Sequence, residues 1–481
     1  MAQIAGIRGT PTYDQDMAAP VTTGGAPSTP TRPGRAPSLG LAVALVLMAA
    51  GVLVPMVLVW DVHVFYWPPL HADWDPRLGV GTVPALAVGA LAAAYAIKVA
   101  NAARWHHLLL AMYVAGLAWM LTLALVDGPD GISEVLEHPY EYLETARIVT
   151  DVPAMLQEYV SRIPYAAEPN NWQVHLAGHP PGAVLFFIGL VRIGLGGGLA
   201  AGLVVTLVAA STSIAVMTVL RTLGAEQAAR RAAPFLVFTP AAIWMCVSAD
   251  AVFGAFAAWG MVALARASVA REARKSLLWS LVAGIVLGYV VMMSYGLPLL
   301  GLLAIAILIL GGSFRPLIPA ALTALAVVLA FYAFGFSWWE AFPVLRERYW
   351  DGVASNRPPE YWMWGNLAAL AFSAGPRMYA GLAHLGTGWV REARSGAAEA
   401  AVDTSQRDIK VVRWLAGAGA AMVVVADLSQ MSRAEVERIW LPFVPWLLLS
   451  CALLPERWRR WGLVGQIVVA LVVQHLLWSD W

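Results

Sequence analysis

LAVALVLMAAGVLVPMVLVW, residues Leu41 to Trp60, runs its full length without a charged side chain. An α-helix of about 20 residues rises roughly 30 Å, the thickness of a bilayer's hydrocarbon core. A second run, Trp461 to Leu477, is of the same kind. The composition extends this reading to the whole chain. Its 481 residues are 59% hydrophobic and 13% charged, and their mean hydropathy is +0.66. The charged fraction is about half that of an ordinary soluble domain. A soluble fold is excluded, and the expected fold class is an all-α, polytopic transmembrane bundle.

Apolar runs recur from residues 40–60 to residues 461–478, giving about thirteen expected spans once polar and helix-breaking residues are used as boundaries. Two of those boundaries are Ser248-Ala249-Asp250 and Ser294-Tyr295-Gly296-Leu297-Pro298. Four runs, 232–248, 250–265, 365–389 and 439–455, are read as separate crossings. Residues 1–38 are rich in Pro, Thr, Gly and Ala and cannot bury a core, so a disordered cytoplasmic tail is expected before a membrane domain over 39–481.

The formal net charge is only +1, which gives no reason to expect a nucleic-acid partner; the distribution of Lys and Arg carries more information. With the N-terminus inside, the clusters Lys98/Arg104, Arg221/Arg230/Arg231, Arg266/Arg271/Arg274/Lys275, Arg391/Arg394/Arg407/Lys410 and Arg457/Arg459/Arg460 all fall on the cytoplasmic side. This orientation requires that the apolar stretch Gly182 to Leu195 not cross. It places the long polar segments, 61–80, 127–198, 337–364 and 428–438, on the outer face. The segment 127–198 is then a large outer loop with interfacial amphipathic helices. A bias to Ala, Gly, Arg and Trp suits a bacterial source, so a multi-pass protein of the bacterial inner membrane is expected, with its site facing outward.

Several residues in these segments have the chemistry of a site. Asp127 follows a span directly and could deprotonate a hydroxyl at the membrane boundary, or simply end a helix in an Asp-Gly turn. Asp130, Glu137 and Glu141 follow in the same acidic loop. His175 and His179 flank Gly178-His179-Pro180-Pro181-Gly182. Their spacing would suit a metal on a helix, but the prolines oppose one, so substrate contact is expected and no metal is assigned, although a divalent ion is compatible. Asp250, ionisable between two apolar runs, is a functional candidate by default, with Tyr295 at the neighbouring break. The segment 336–365 interleaves Trp338, Trp339, Trp350, Tyr361, Trp362 and Trp364 with Arg346, Arg348 and Arg357, a mixture that suits sugar rings or an interfacial aromatic belt. Ser432-Arg433-Ala434-Glu435-Val436-Glu437-Arg438 sets two arginines beside acids at the mouth of a span, where Arg438 and Arg433 could grip a phosphate or Glu437 could cap a salt-bridged helix. Cys246 and Cys451 lie in apolar runs and read as small core residues.

In order along the chain, these motifs resemble the C-type (GT-C) integral membrane glycosyltransferases, including protein O-mannosyltransferases and the bacterial aminoarabinose and arabinofuranosyl transferases. The acidic outer loop ends in His179-Pro180-Pro181-Gly182, similar to a His-Pro-Pro-Leu element. Phe238-Thr239-Pro240 through Asp250 resembles the family's Pro, aromatic, then Asp stretch, and Arg438-Ile439-Trp440-Leu441-Pro442 looks like its Arg-Tyr-Leu-x-Pro ending. The resemblance implies a sugar moved from a polyprenyl-phosphate donor to a lipid or glycan acceptor of the cell envelope. Asp127 would be the base and Arg438 the partner of the lipid phosphate. Where the family carries an Asp-Glu pair this chain has Asp127-Gly128, so Glu137 and Glu141 stand as alternative bases. No cofactor is implied. A transporter or lipid flippase is the competing expectation and would require internal repeats.

Overall fold

The computed structural model describes residues 35–395 and 404–479. Of the expected tail, residues 1–34 lie outside the described residues, while Arg35 to Pro37 already begin the first helix, Arg35–Leu58. Most of the rest is helical. The strands among the described residues are Asp73–Trp74 and Leu477–Trp478, paired antiparallel with Asp73 opposite Trp478.

Among the described residues, seven helices are long and apolar enough to cross a membrane: Arg35–Leu58, Thr82–Ala102, Trp105–Asp127, Gly198–Thr222, Ala249–Val269, Ala273–Val291 and Ser405–Ser429. An eighth counts if Leu317–Ala333 and Trp338–Asp351, bent by 75°, form one span. These helices are compatible with a multi-pass membrane protein. Their outward faces carry exposed Leu, Val and Ile, such as Val57, Leu91, Leu110 and Leu322, as expected where lipid is the solvent.

Other expected crossings are shorter or interrupted. The run 232–248 folds as Glu226–Val237 and a single turn, Ala242–Met245, separated at Thr239-Pro240. The run 365–389 divides into Pro359–Ser373 and Pro376–Ser395 about Gly375, whose φ of +84° ends the first helix. The run 439–455 is a series of short helical turns. Proline removes a backbone donor and glycine takes up the left-handed turn, so hydropathy alone overstates helix length here.

The bundle has two chemically different ends. At one, Arg230 donates to the carbonyls of Ala100 and Ala103, Arg407 donates to those of Leu223 and Leu310, and Arg221 lies over the Trp105 ring. The opposite end gathers the polar segments: His71 from 61–80, Arg348 and Arg357 from 337–364, the loop 127–198, and Ser432 to Arg438.

Gly182 to Leu195 belongs entirely to this second end. Its helix, Gly182–Arg192, has 11 residues and so rises only about 16 Å. The Gly182 N–H donates to the Met292 carbonyl at 2.8 Å, and Gly196 is held by Arg147 beside the start of the Gly198–Thr222 helix. Both flanks are therefore fixed to the same end of the bundle. Gly182 is required for the close approach, because a Cβ there would lie 2.3 Å from the Met292 carbonyl oxygen.

Candidate functional site

The site is centred on Arg438, which is 2% exposed. Its backbone is delivered by an unusual turn: Ala434 (φ 71°) and Glu435 (φ 62°) are successive non-glycine residues in the left-handed region, each at a cost of about 1–2 kcal/mol. Side chains clamp the turn. Asn366 accepts from the Ala434 N–H and donates to Asp427 and to the Ser432 carbonyl. Arg357 donates to the Arg433 carbonyl, the His63 carbonyl and Glu435 Oε1. The geometry is held from three segments, which directs Glu435, Glu437 and Arg438 inward.

Around the Arg438 guanidinium stand three carboxylates. Asp250 Oδ2 lies 3.3 Å from Nη1, Glu141 Oε1 4.0 Å from Nη1, and Glu435 Oε2 3.7 Å from Nη2. His175 completes the ring, with Nε2 3.2 Å from Arg438 Nη2 and Nδ1 2.9 Å from Glu141 Oε1. A guanidinium only donates, so Nε2 accepts, and the proton of a neutral His175 resides on Nδ1 facing Glu141. Glu141 thus orients an imidazole whose basic nitrogen faces the arginine. Burial pushes the Glu141 carboxyl up, but His175 and Arg438 outweigh it and hold the group below its ordinary range.

His179 lies behind this ring. Burial lowers its imidazole to about 4, so it is neutral at physiological pH. Its Nδ1 is 2.7 Å from the Tyr142 hydroxyl and 3.0 Å from the His175 carbonyl oxygen. Tyr159 donates to the carbonyls of Leu176 and His179, fixing the turn ahead of Pro180-Pro181. Arg357 and Arg438 keep the Glu435 carboxyl down at about 2 against the effect of burial.

Beside Arg438, Glu437 is 1% exposed and accepts from the His71 N–H at 3.0 Å through Oε1, while Oε2 has no hydrogen-bond partner. Burial, with the Glu435 charge adding to it, pushes this carboxyl up to about 7 despite the backbone hydrogen bond. Burial likewise lowers His71 to about 4.

These groups face a cavity of about 400 Å³. Its polar wall is His175, His179, Asp250, Glu435 and Arg438. Its remaining lining includes Leu297, Leu299, Phe342, Leu345, Val425 and Ala426, together with Ser294, Tyr295, Ser429 and Ser432. Such a space suits a ligand with one charged end and a larger apolar part. Among the described residues, no group of three or more His, Cys, Asp or Glu side chains is placed to hold a metal ion.

The structure brings Glu141, His175, His179, Asp250, Tyr295 and Arg438 to one place, with Arg357 and Glu437 immediately behind. It separates others from them. Asp127, the base expected from its position after a span, pairs with Arg77 and accepts from Gln474 at 2.7 Å. It fastens the 61–80 segment and the last long helix to the Trp105–Asp127 helix and does not line the cavity. Asp130 is exposed at the first turn of the Asp130–Glu137 helix. Glu137 pairs with Arg147 at 2.5 Å and accepts from the Gly198 N–H, a capping contact with the next helix. The Tyr361 hydroxyl donates to the Gly51 carbonyl in the core. Arg433 donates to the carbonyls of Ala354 and Arg357 and packs over Trp350.

Sequence reasoning missed Tyr142, His71 and Glu435 as site residues. Tyr142 adjoins Glu141 and Glu435 precedes Arg438 by three residues, so proximity to chosen residues was the available signal. His71 carried none, since its partner is 366 positions away.

No protein-family model, curated protein or solved structure matches this chain.

Proposed function

We propose that this protein is a membrane glycosyltransferase of the GT-C type, built on up to about thirteen complete or partial crossings. It would move a sugar from a polyprenyl-phosphate donor to a lipid or glycan acceptor at the outer face of a bacterial inner membrane. One observation carries the reading. Asp250, His175 and Arg438, from three remote parts of the chain, meet at the charged end of a largely apolar cavity.

In this reading Asp250 replaces Asp127 as the base, since it is Asp250 that faces the cavity. The two guanidinium groups of Arg357 and Arg438 serve three carboxylates, an excess of negative charge that favours uptake of a proton. Arg438 turns from Asp250 toward the donor phosphate as it enters. Asp250 then takes the proton of an acceptor hydroxyl, whose oxygen attacks the anomeric carbon from the opposite face. The bond from that carbon to the phosphate oxygen breaks, and the lipid phosphate leaves with the electron pair against Arg438. The configuration at the anomeric carbon inverts. Glu141 and His175 hold Arg438 in place, and the basic end of the bundle would face the cytoplasm.

The test is transfer by the purified full chain from radiolabelled polyprenyl-phosphate sugars to envelope lipid or glycan extracts. Asp250→Asn should lower kcat by roughly 10²–10⁴ with donor binding retained. Transfer by Asp250→Asn at the wild-type rate, or solute flux in proteoliposomes without any transfer, would overturn the reading.

A further inference from the structure

The cavity has a second polar feature away from the charged ring. Tyr295 and Phe342 line it, and Trp338 stands one helical turn before Phe342, stacked parallel to it at 5.6 Å between centroids with an interplanar angle of 8°. The Tyr295 ring closes the corner, 5.6 Å from Trp338 and 5.7 Å from Phe342. Three rings from two segments thus form an aromatic corner. Two donors belong to these rings, both buried and both without a hydrogen-bond partner: the Tyr295 hydroxyl, on a residue lining the cavity, and Trp338 Nε1, on the ring packed behind Tyr295 and Phe342.

Those two donors restrict what the corner can hold. A polyprenyl chain packed there would leave both opposite hydrocarbon, which is costly for any buried donor. An ammonium group would suit the ring faces, yet it has no lone pair to accept from either donor. A ligand with oxygen acceptors at its edge and C–H groups on its face, as a sugar ring has, fits both the donors and the ring faces. Among the described residues, burial is what raises the Tyr295 hydroxyl. The charged lining residues, Asp250, Glu435 and Arg438, belong to the Arg438 ring.

We infer that Tyr295, Trp338 and Phe342 seat the ring of an uncharged sugar, with Tyr295 O–H and Trp338 N–H donating to its hydroxyl or ring oxygens. The inference rests on reading the cavity as a site of sugar transfer and names the class of sugar: a neutral pyranose or furanose, in preference to an amino sugar or a uronic acid. It also divides the cavity. The sugar lies in the aromatic corner, phosphate lies at Arg438, and the Val425 and Ala426 face of the Ser405–Ser429 helix is left for the lipid.

The test is saturation-transfer NMR on the purified full chain in nanodiscs, using methyl glucoside, methyl mannoside and methyl arabinofuranoside as neutral probes. Methyl glucosaminide and methyl glucuronide serve as charged ones. At least one neutral probe should receive saturation on its ring C–H protons, at least threefold more than either charged probe. Tyr295→Phe, which keeps the ring and removes only the hydroxyl, and Trp338→Phe, which removes the indole donor, should each reduce that signal at least threefold at unchanged melting temperature. Equal signals from neutral and charged probes, or wild-type signals in both variants, would overturn the assignment. The polyprenyl-phosphate assay separates this result from the broader reading. Neutral-probe saturation lost in both variants without any transfer keeps the sugar seat and rejects the transferase. Transfer with unchanged donor KM in both variants rejects the seat and keeps the transferase.

Discussion

Glu437 gives a quantitative pH prediction of unusual sign for a carboxylate. Its ordinary value of 4.5 rises to about 7 in the folded protein, so the native state holds a proton that the unfolded state has already released between those pH values. Stability from this group is therefore present at low pH and lost as pH rises from about 4.5 through about 7. At 1.36 kcal/mol for each tenfold change in proton affinity, the loss is about 3 kcal/mol. His71 and His179 act in the opposite sense: their imidazoles fall from 6.5 to about 4 on burial, so each gains stability as pH rises between those values and offsets the Glu437 loss in the wild type. Glu437→Gln imitates the protonated acid and keeps an oxygen to accept from the His71 N–H. Melting of the purified protein in one detergent, followed by intrinsic fluorescence from pH 5.5 to 8.5, should show the variant gaining on the wild type as pH rises through about 7. The variant should be the more stable at pH 8. Parallel wild-type and Glu437→Gln profiles would refute the argument, because the difference between them isolates this one carboxyl.

Asp127→Asn and Glu141→Gln should separate sharply in the transfer assay. Asp127→Asn weakens only the Arg77 and Gln474 fastening, lowering melting temperature by an amount corresponding to roughly 1–3 kcal/mol, with kcat near wild type. Glu141→Gln removes the carboxylate that orients His175 and should depress kcat at least tenfold. Gly202→Ala would bring a Cβ within 2.1 Å of the Ile132 carbonyl oxygen and should destabilise by about 1–3 kcal/mol. Gly189→Ala, helical with open space around it, should be neutral or stabilising by about 0.5–1 kcal/mol. Thermal melting of the pair checks both.

The features legible in the sequence were those written along one dimension. Uncharged runs carry the helical class and most long helices, and the polar segments between them meet at one end of the bundle. Helix integrity was less legible, because an apolar run broken at Thr239-Pro240 or at Gly375 has the same hydropathy as an unbroken one. The roles of the carboxylates are hard to read for a related reason. Asp127 has the local setting of a base, a carboxylate directly after a span, but a carboxylate's role follows from what compensates its charge. Arg77 and Gln474, 50 and 347 positions away, do so for Asp127, and Arg147 and the Gly198 N–H do so for Glu137. Both are satisfied by fixed groups of the scaffold. Asp250 and Glu141 instead compete with Glu435 for the guanidinium of Arg438. In the proposed reaction this arginine exchanges one of the three acids for an arriving phosphate, and the acid released is left in place to accept a proton. That exchange would separate the structural carboxylates of this loop end from the chemical ones, and it depends on the contacts of Arg438 with Asp250 and Glu141, each more than a hundred positions away.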